Sequence, residues 1–162
     1  MDISIFETGS GGDVVLNQNG VETTEGLFNL VYLAIFGGNV QPENAVEDQS
    51  GLQFRKDWWG NQLVFNDRPQ IQYTSNTERI LTEVVLNSSG RATIASAIRD
   101  DLKAIEDIVQ VDAVDVRITG TDKCEFRIRI LEPDNLQPRE FVFIWEAGRL
   151  EVITEATIPI VE

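Results

Sequence analysis

The chain has 162 residues, 27 of them Asp or Glu against 13 Lys or Arg, with no His, so it carries a net charge of −14. Its length suits a single domain over residues 1–162, and 42% hydrophobic residues can build a core. The acidity argues against nucleic acid and anionic membranes as partners, and the missing imidazole excludes Ser-His-Asp and Cys-His nucleophiles and His-ligated zinc.

The opening Met1-Asp2-Ile3-Ser4 is acidic where a secretory leader would be basic. Asp13-Val14-Val15-Leu16 reads as a short strand, and Asn17-Gln18-Asn19-Gly20 as the turn that closes it. Thr23 or Thr24 supplies an N-cap for a first helix, in which Leu27, Leu30, Val31, Ala34 and Ile35 recur at helical spacing. Phe28, Tyr32, Leu33 and Phe36 occupy its other faces, so this helix is apolar nearly all round and must be covered on several sides, by its own domain or by a partner. At ten residues the stretch from Leu27 to Phe36 is half of a membrane span, and no membrane insertion is expected. Gly37-Gly38 ends it.

Residues 38–74 show no helical period, and a structureless stretch of that length in a compact domain is either functional or tied down by its own side chains. Trp58-Trp59-Gly60 is the expected tether, with a short strand at Gln62-Leu63-Val64-Phe65. Either one Trp anchors the loop and a partner covers the other, or both pack within the monomer.

Ser75-Asn76-Thr77-Glu78 has the form of a capping box and opens a second helix with Ile80, Leu81, Val84 and Val85 on its apolar face. Asn87-Ser88-Ser89-Gly90 breaks it. A third helix then carries Ile94, Ile98, Leu102, Ile105 and Val109 as a stripe, with Arg99, Asp100, Lys103, Glu106 and Asp107 on the polar side.

The last third alternates. Val114, Val116 and Ile118 form one half-exposed strand, and Phe126, Ile128 and Ile130 a second. Pro133-Asp134-Asn135 and Pro138 mark a longer loop. Phe141-Val142-Phe143-Ile144-Trp145 is apolar on both faces, as a central strand would be, and Leu150-Glu151-Val152-Ile153 follows a turn. The expected fold is α+β: three helices on one face of a C-terminal antiparallel sheet of about four strands, with a short N-terminal strand and the long Trp-anchored loop. Residues 154–162 form an extended arm whose Ile158 and Ile160 lie on the domain or on a neighbour's sheet edge.

Carboxylates are the only acid–base groups left. Asp57 and Asp67 flank Trp58-Trp59, as the paired carboxylates of a glycosidase stand beside sugar-stacking rings, but with 27 acids such a pairing arises readily by chance. Asp100, Asp101, Glu106 and Asp107 lack the spacing of a calcium loop and read as a solvated helix face. Gly9-Ser10-Gly11-Gly12 lacks the lysine of a phosphate loop. Cys124, the only cysteine, cannot form an intramolecular disulfide and reads as a small buried residue.

Several motifs in order resemble the small baseplate wedge family of Mu-type contractile phage tails. Gly12-Asp13-Val14-Val15-Leu16 with Gly20 is similar to the family's opening strand and turn, and Thr24-Glu25-Gly26-Leu27 through Phe36 to its first helix. Trp58-Trp59-Gly60-Asn61 resembles its Trp-Trp-Gly-Asp signature, with Asn61 in place of Asp, and two helices and a valine-rich strand follow. The second helix departs from the family in opening with Ser75-Asn76-Thr77-Glu78. The resemblance implies a structural subunit of a virion tail baseplate, assembled in the bacterial cytoplasm in several copies. Its implied partners are a larger wedge subunit and proteins near the tube and sheath, and it implies no cofactor and no catalysis. Related subunits serve type VI secretion and other contractile injection machines. Trp58, Trp59, Asn61, Phe28, Tyr32, Ile158 and Ile160 are the expected partner-facing residues. Some relatives of this broader group are described as lysozyme-like, so the alternative is a carboxylate-based peptidoglycan hydrolase.

Overall fold

A computed structural model of the chain describes residues 2–7, 12–24, 26–37, 73, 75–132, 135–146 and 148–157. Among them the fold is α+β, with three α-helices and antiparallel sheets, the class the sequence predicts.

The N-terminal residues are built from three short ladders. Strand β1 (Asp2–Ile3) pairs with β6 (Thr23–Thr24), β2 (Ile5–Glu7) with β3 (Gly12–Val14), and β4 (Leu16–Asn17) with β5 (Gly20–Val21), all antiparallel. The single strand expected over 13–16 is therefore divided at Val15. The reason is a closed ring of backbone hydrogen bonds where the ladders meet. The Ser4 N–H donates to the Glu22 carbonyl (2.8 Å), the Glu22 N–H to Val15 (2.9 Å) and the Val15 N–H to Ser4 (3.0 Å). The turn after β4 is where the Asn-rich sequence puts it: Asn17 Oδ1 accepts the Asn19 N–H at 2.8 Å, and Gly20 takes a φ of 110°.

Helix α1 (Leu27–Phe36) starts two residues later than the threonine cap predicts, because Thr23 and Thr24 are committed to β6. Its N-cap is Gly26, at φ 87°, with no side-chain cap. The backbone there passes so close to Asp2 that a Cβ would meet the Asp2 Cβ at 3.0 Å.

Helix α2 (Asn76–Glu83) ends before Val84, which is extended, so Val85 turns out to solvent (73% exposed) instead of completing the apolar face. The segment expected to break the helix opens the next one: Asn87 caps α3 (Ser88–Leu102) by accepting the Gly90 N–H at 2.9 Å. After a 3-10 turn (Lys103–Ile105) the Val109 N–H still reaches the Ile105 carbonyl. The apolar stripe therefore runs past the helix end, and Ile94, Ile98, Leu102, Ile105 and Val109 are all buried.

Strands β7 (Gln110–Gly120), β8 (Lys123–Glu132), β9 (Asn135–Glu146) and β10 (Arg149–Thr157) form an antiparallel meander in the order β10-β9-β8-β7. Strand β9 is interior, as its doubly apolar sequence predicts. The longer loop expected before it is absent: Glu132 pairs with Asn135, and Pro138 lies inside β9 at a register shift, where a missing N–H costs no ladder bond. Residues 154–157, the first part of the expected arm, pair with β9 as part of β10. Cys124, Phe126, Ile128 and Ile130 of β8 are fully buried, as are Phe141 and Phe143 of β9, and they form one core with α1 and α3.

Candidate interface

Helix α1 positions the first candidate residues. Phe28, Tyr32 and Phe36 recur every fourth residue and so stand in one column. Ring centroids are 5.8 Å apart for Phe28 and Tyr32 and 5.7 Å for Tyr32 and Phe36. The sheet answers with Phe126, Phe141 and Phe143. Phe28 lies 6.3 Å from Phe141 and 6.4 Å from Phe143, Phe36 lies 6.0 Å from Phe126, and Phe126 stacks on Phe143 at 5.2 Å. Contacts of this kind each add about 0.5–1.5 kcal/mol to the burial of the rings. Every residue of α1 is buried or half-buried. Tyr32 is 5% exposed and Phe28 half-buried, both against the chain's own residues.

Trp58, Trp59, Asn61, Ile158 and Ile160 lie outside the described residues, as do Gly60 and the carboxylates Asp57 and Asp67. The structure thus brings together only Phe28 and Tyr32 of the expected partner-facing set.

The polar anchors of the helices are residues to which the sequence assigned no anchoring role. Asp101, expected on a solvated face, is 2% exposed. Its carboxylate accepts the Asn76 N–H at 2.9 Å and the N–H and hydroxyl of Thr77, both at 2.7 Å. A buried anion thus sits at the N-terminus of α2, where the helix dipole favours it. Ser75 does not cap: it adopts φ 48° and makes no side-chain cap bond, and among the described residues its buried hydroxyl has no partner. Asn29, 4% exposed, ties α1 to the N-terminal ladders by donating to Asp2 Oδ2 at 3.0 Å and to the Ile3 carbonyl. The signal for Asn29 was a polar residue in an otherwise apolar run, whereas Asp101 stands among charged neighbours that give it no such signal.

Charge is unevenly spread. On the sheet, Arg117 pairs with Asp115 (3.0 Å), Lys123 with Glu146 (2.6 Å), Arg127 with Glu125 (2.7 Å), Arg129 with Asp112 (3.8 Å) and Arg139 with Glu132 (2.9 Å). Just past the end of α3, Lys103 donates to Asp100 at 2.6 Å, a hydrogen bond that raises its pKa. Arg99 reaches the carbonyls of Ala95 and Val114 rather than a neighbouring carboxylate. By contrast, residues 1–37 carry Asp2, Glu7, Asp13, Glu22 and Glu25 with no Lys or Arg.

Among the described residues no group of three or more His, Cys, Asp or Glu could hold a metal, and no helix is long and apolar enough to cross a membrane. A hollow of about 420 Å³ between the start of α3 and β7 is lined, among the described residues, by Asn87, Ser88, Arg91, Arg117 and Ile118. The chain matches no family model, no curated protein and no solved structure.

Proposed function

We propose that the chain is a structural subunit of a contractile-tail baseplate wedge, in a phage, a prophage or an injection machine, and that it works by protein–protein contact. The observation that carries this reading is the order of motifs: the Gly12-Asp13-Val14 strand, the helix Leu27–Phe36, Trp58-Trp59-Gly60-Asn61, then two helices and a valine-rich strand. A helix with no exposed position supports it as the rigid centre of a part whose contacts lie elsewhere. On this reading three helices back one face of the four-stranded sheet, and Trp58, Trp59, Asn61, Ile158 and Ile160 meet neighbours. Half-buried Phe28 lies at the margin, with Tyr32 supporting it from within. Several copies join a larger wedge subunit and tube- and sheath-proximal proteins in the host cytoplasm, without a cofactor or a catalytic step.

The test is co-expression with the adjoining tail genes, followed by sedimentation of assembled baseplates. Alanine at one of Trp58 and Trp59 should leave thermal unfolding unchanged and stop assembly. If both variants unfold alike, the loop is ordinary core and the interface reading fails. Clearing on a peptidoglycan zymogram that disappears in Asp57→Ala or Asp67→Ala would replace this reading with a hydrolase.

A further inference from the structure

The N-terminal ladders expose apolar side chains close together in the fold. Leu16 and Val21 are direct cross-strand partners, so they share one side of their ladder, and they are 73% and 50% exposed. Ile3, in the neighbouring ladder, is 47% exposed. The region around this patch is anionic: Glu22 and Asp2 are exposed, each one residue along the chain from Val21 and Ile3 and so on the alternate side of the strand, and no Lys or Arg occurs in the sequence before Arg55. On the sheet, Arg117, Lys123, Arg127, Arg129 and Arg139 are each matched to an acid, so the two signs are interspersed there.

We propose that the ladders β1, β4, β5 and β6 dock a protein surface that carries Lys and Arg around an apolar centre. Charge complementarity selects this occupant. A second copy of the chain would bring another −14 to the contact, and an anionic lipid surface would be repelled for the same reason. Acidic residues around a small apolar centre steer a basic partner and reject an acidic one, while Leu16 and Val21 supply the desolvated contact. The ring of hydrogen bonds through Ser4, Val15 and Glu22 holds the ladders before binding, which lowers the ordering cost of docking. The inference names one surface and its partner's chemistry, and it stands for a basic partner inside or outside a tail.

The test is a nuclear magnetic resonance titration of the full ¹⁵N-labelled chain with a short synthetic peptide alternating Lys and Val. Expected are shifts at Leu16, Asn17, Gly20 and Val21, with binding that weakens about tenfold as salt shortens the Debye length from about 30 Å to about 8 Å. The double variant Leu16→Ser/Val21→Ser should abolish binding, and Glu22→Lys should weaken it with the apolar pair intact. All three positions are exposed, so thermal unfolding should stay unchanged. Four results would each overturn the proposal. The first is a peptide that does not bind. The second is binding that survives both variants. The third is equal binding of an alternating Glu-Val peptide or of an anionic phosphatidylglycerol vesicle. The fourth is a dimer in sedimentation that Leu16→Ser/Val21→Ser dissociates, which would make the occupant a second copy. Peptide binding that fails while baseplates still assemble would sink this inference alone, and the converse would sink only the wedge reading.

Discussion

Asp101, near the end of α3, caps the start of α2 by accepting both the N–H and the hydroxyl of Thr77 at 2.7 Å. Thr77 is fully buried, so this contact joins the two helices through a desolvated, charge-assisted pair of hydrogen bonds.

Asp101→Asn should therefore lower stability by about 2–4 kcal/mol, since the amide turns a donor towards donors and leaves buried N–H groups short of an acceptor. Ser75→Ala should change stability by no more than about 0.5 kcal/mol, against the ~1 kcal/mol loss of a working capping serine. Urea midpoints for the two variants separate the structural cap from the one the sequence suggests. Equal losses would restore Ser75 as the cap.

Gly90→Ala sets helix propensity against space. Alanine is favoured over glycine by about 1 kcal/mol inside a helix. Here its Cβ would lie 2.1 Å from the Val85 carbonyl oxygen, a backbone atom, so the 84–87 link or the first turn of α3 must move. A net loss of about 2–3 kcal/mol is expected. Gly20→Ala, with nothing within 4 Å of the added carbon, should cost only the strain of its positive φ, about 1 kcal/mol. Thermal unfolding of the pair gives the comparison.

Asn29→Ala removes the tie between α1 and the N-terminal ladders. The loss should be about 1–2 kcal/mol and local. Hydrogen exchange at Ser4, Val15 and Glu22 should accelerate while the amides of β8 keep their protection. Uniform acceleration across the chain would mean the ladders and the sheet unfold as one unit.

Cys124 is fully buried, and desolvation pushes its thiol up to about 11. The unfolded chain then loses this proton first. Its contribution is complete below the ordinary thiol value of 9.0 and falls away as pH rises to about 11, by about 2–3 kcal/mol. Buried Tyr73, also pushed up by desolvation, adds to the alkaline loss. Cys124→Ala should start about 1 kcal/mol lower from its cavity and show a shallower decline between those pH values. An unchanged slope would assign the whole effect to other groups.

Much of this architecture was legible in the sequence because periodicity reports burial. The alternation through Phe126, Ile128 and Ile130 placed β8, and the 94-98-102-105-109 stripe placed α3 and the turn beyond it. Start and stop signals were less legible, since each depends on a partner distant in the chain. Ser75 carries the local capping pattern, but Asp101, 24 residues from Thr77, supplies the carboxylate. Thr24 resembles a cap until Asp2, its ladder partner, draws it into β6. Pro138 reads as a loop residue unless the register shift that accommodates it is known. Of the candidate interface, the aromatic spacing of α1 was legible, whereas the side of the helix that meets the sheet was not. The exposure of Leu16 and Val21 had no sequence signal, because a Leu–Val cross-strand pair is ordinarily half-covered.

The hydrogen-bonded ring of Ser4, Val15 and Glu22 constrains alignment as well as position. Each of these residues is the next rung of two ladders at once: Ser4 follows Ile3 towards Glu22 and precedes Ile5 opposite Val14. A two-stranded ribbon with exposed side chains on one face can ordinarily slip by one residue at little cost. Here a slip in any ladder removes its shared rung from the ring and misaligns the other two. The three short ribbons hold one another in register, so Leu16 and Val21 stay on a fixed side although both are exposed.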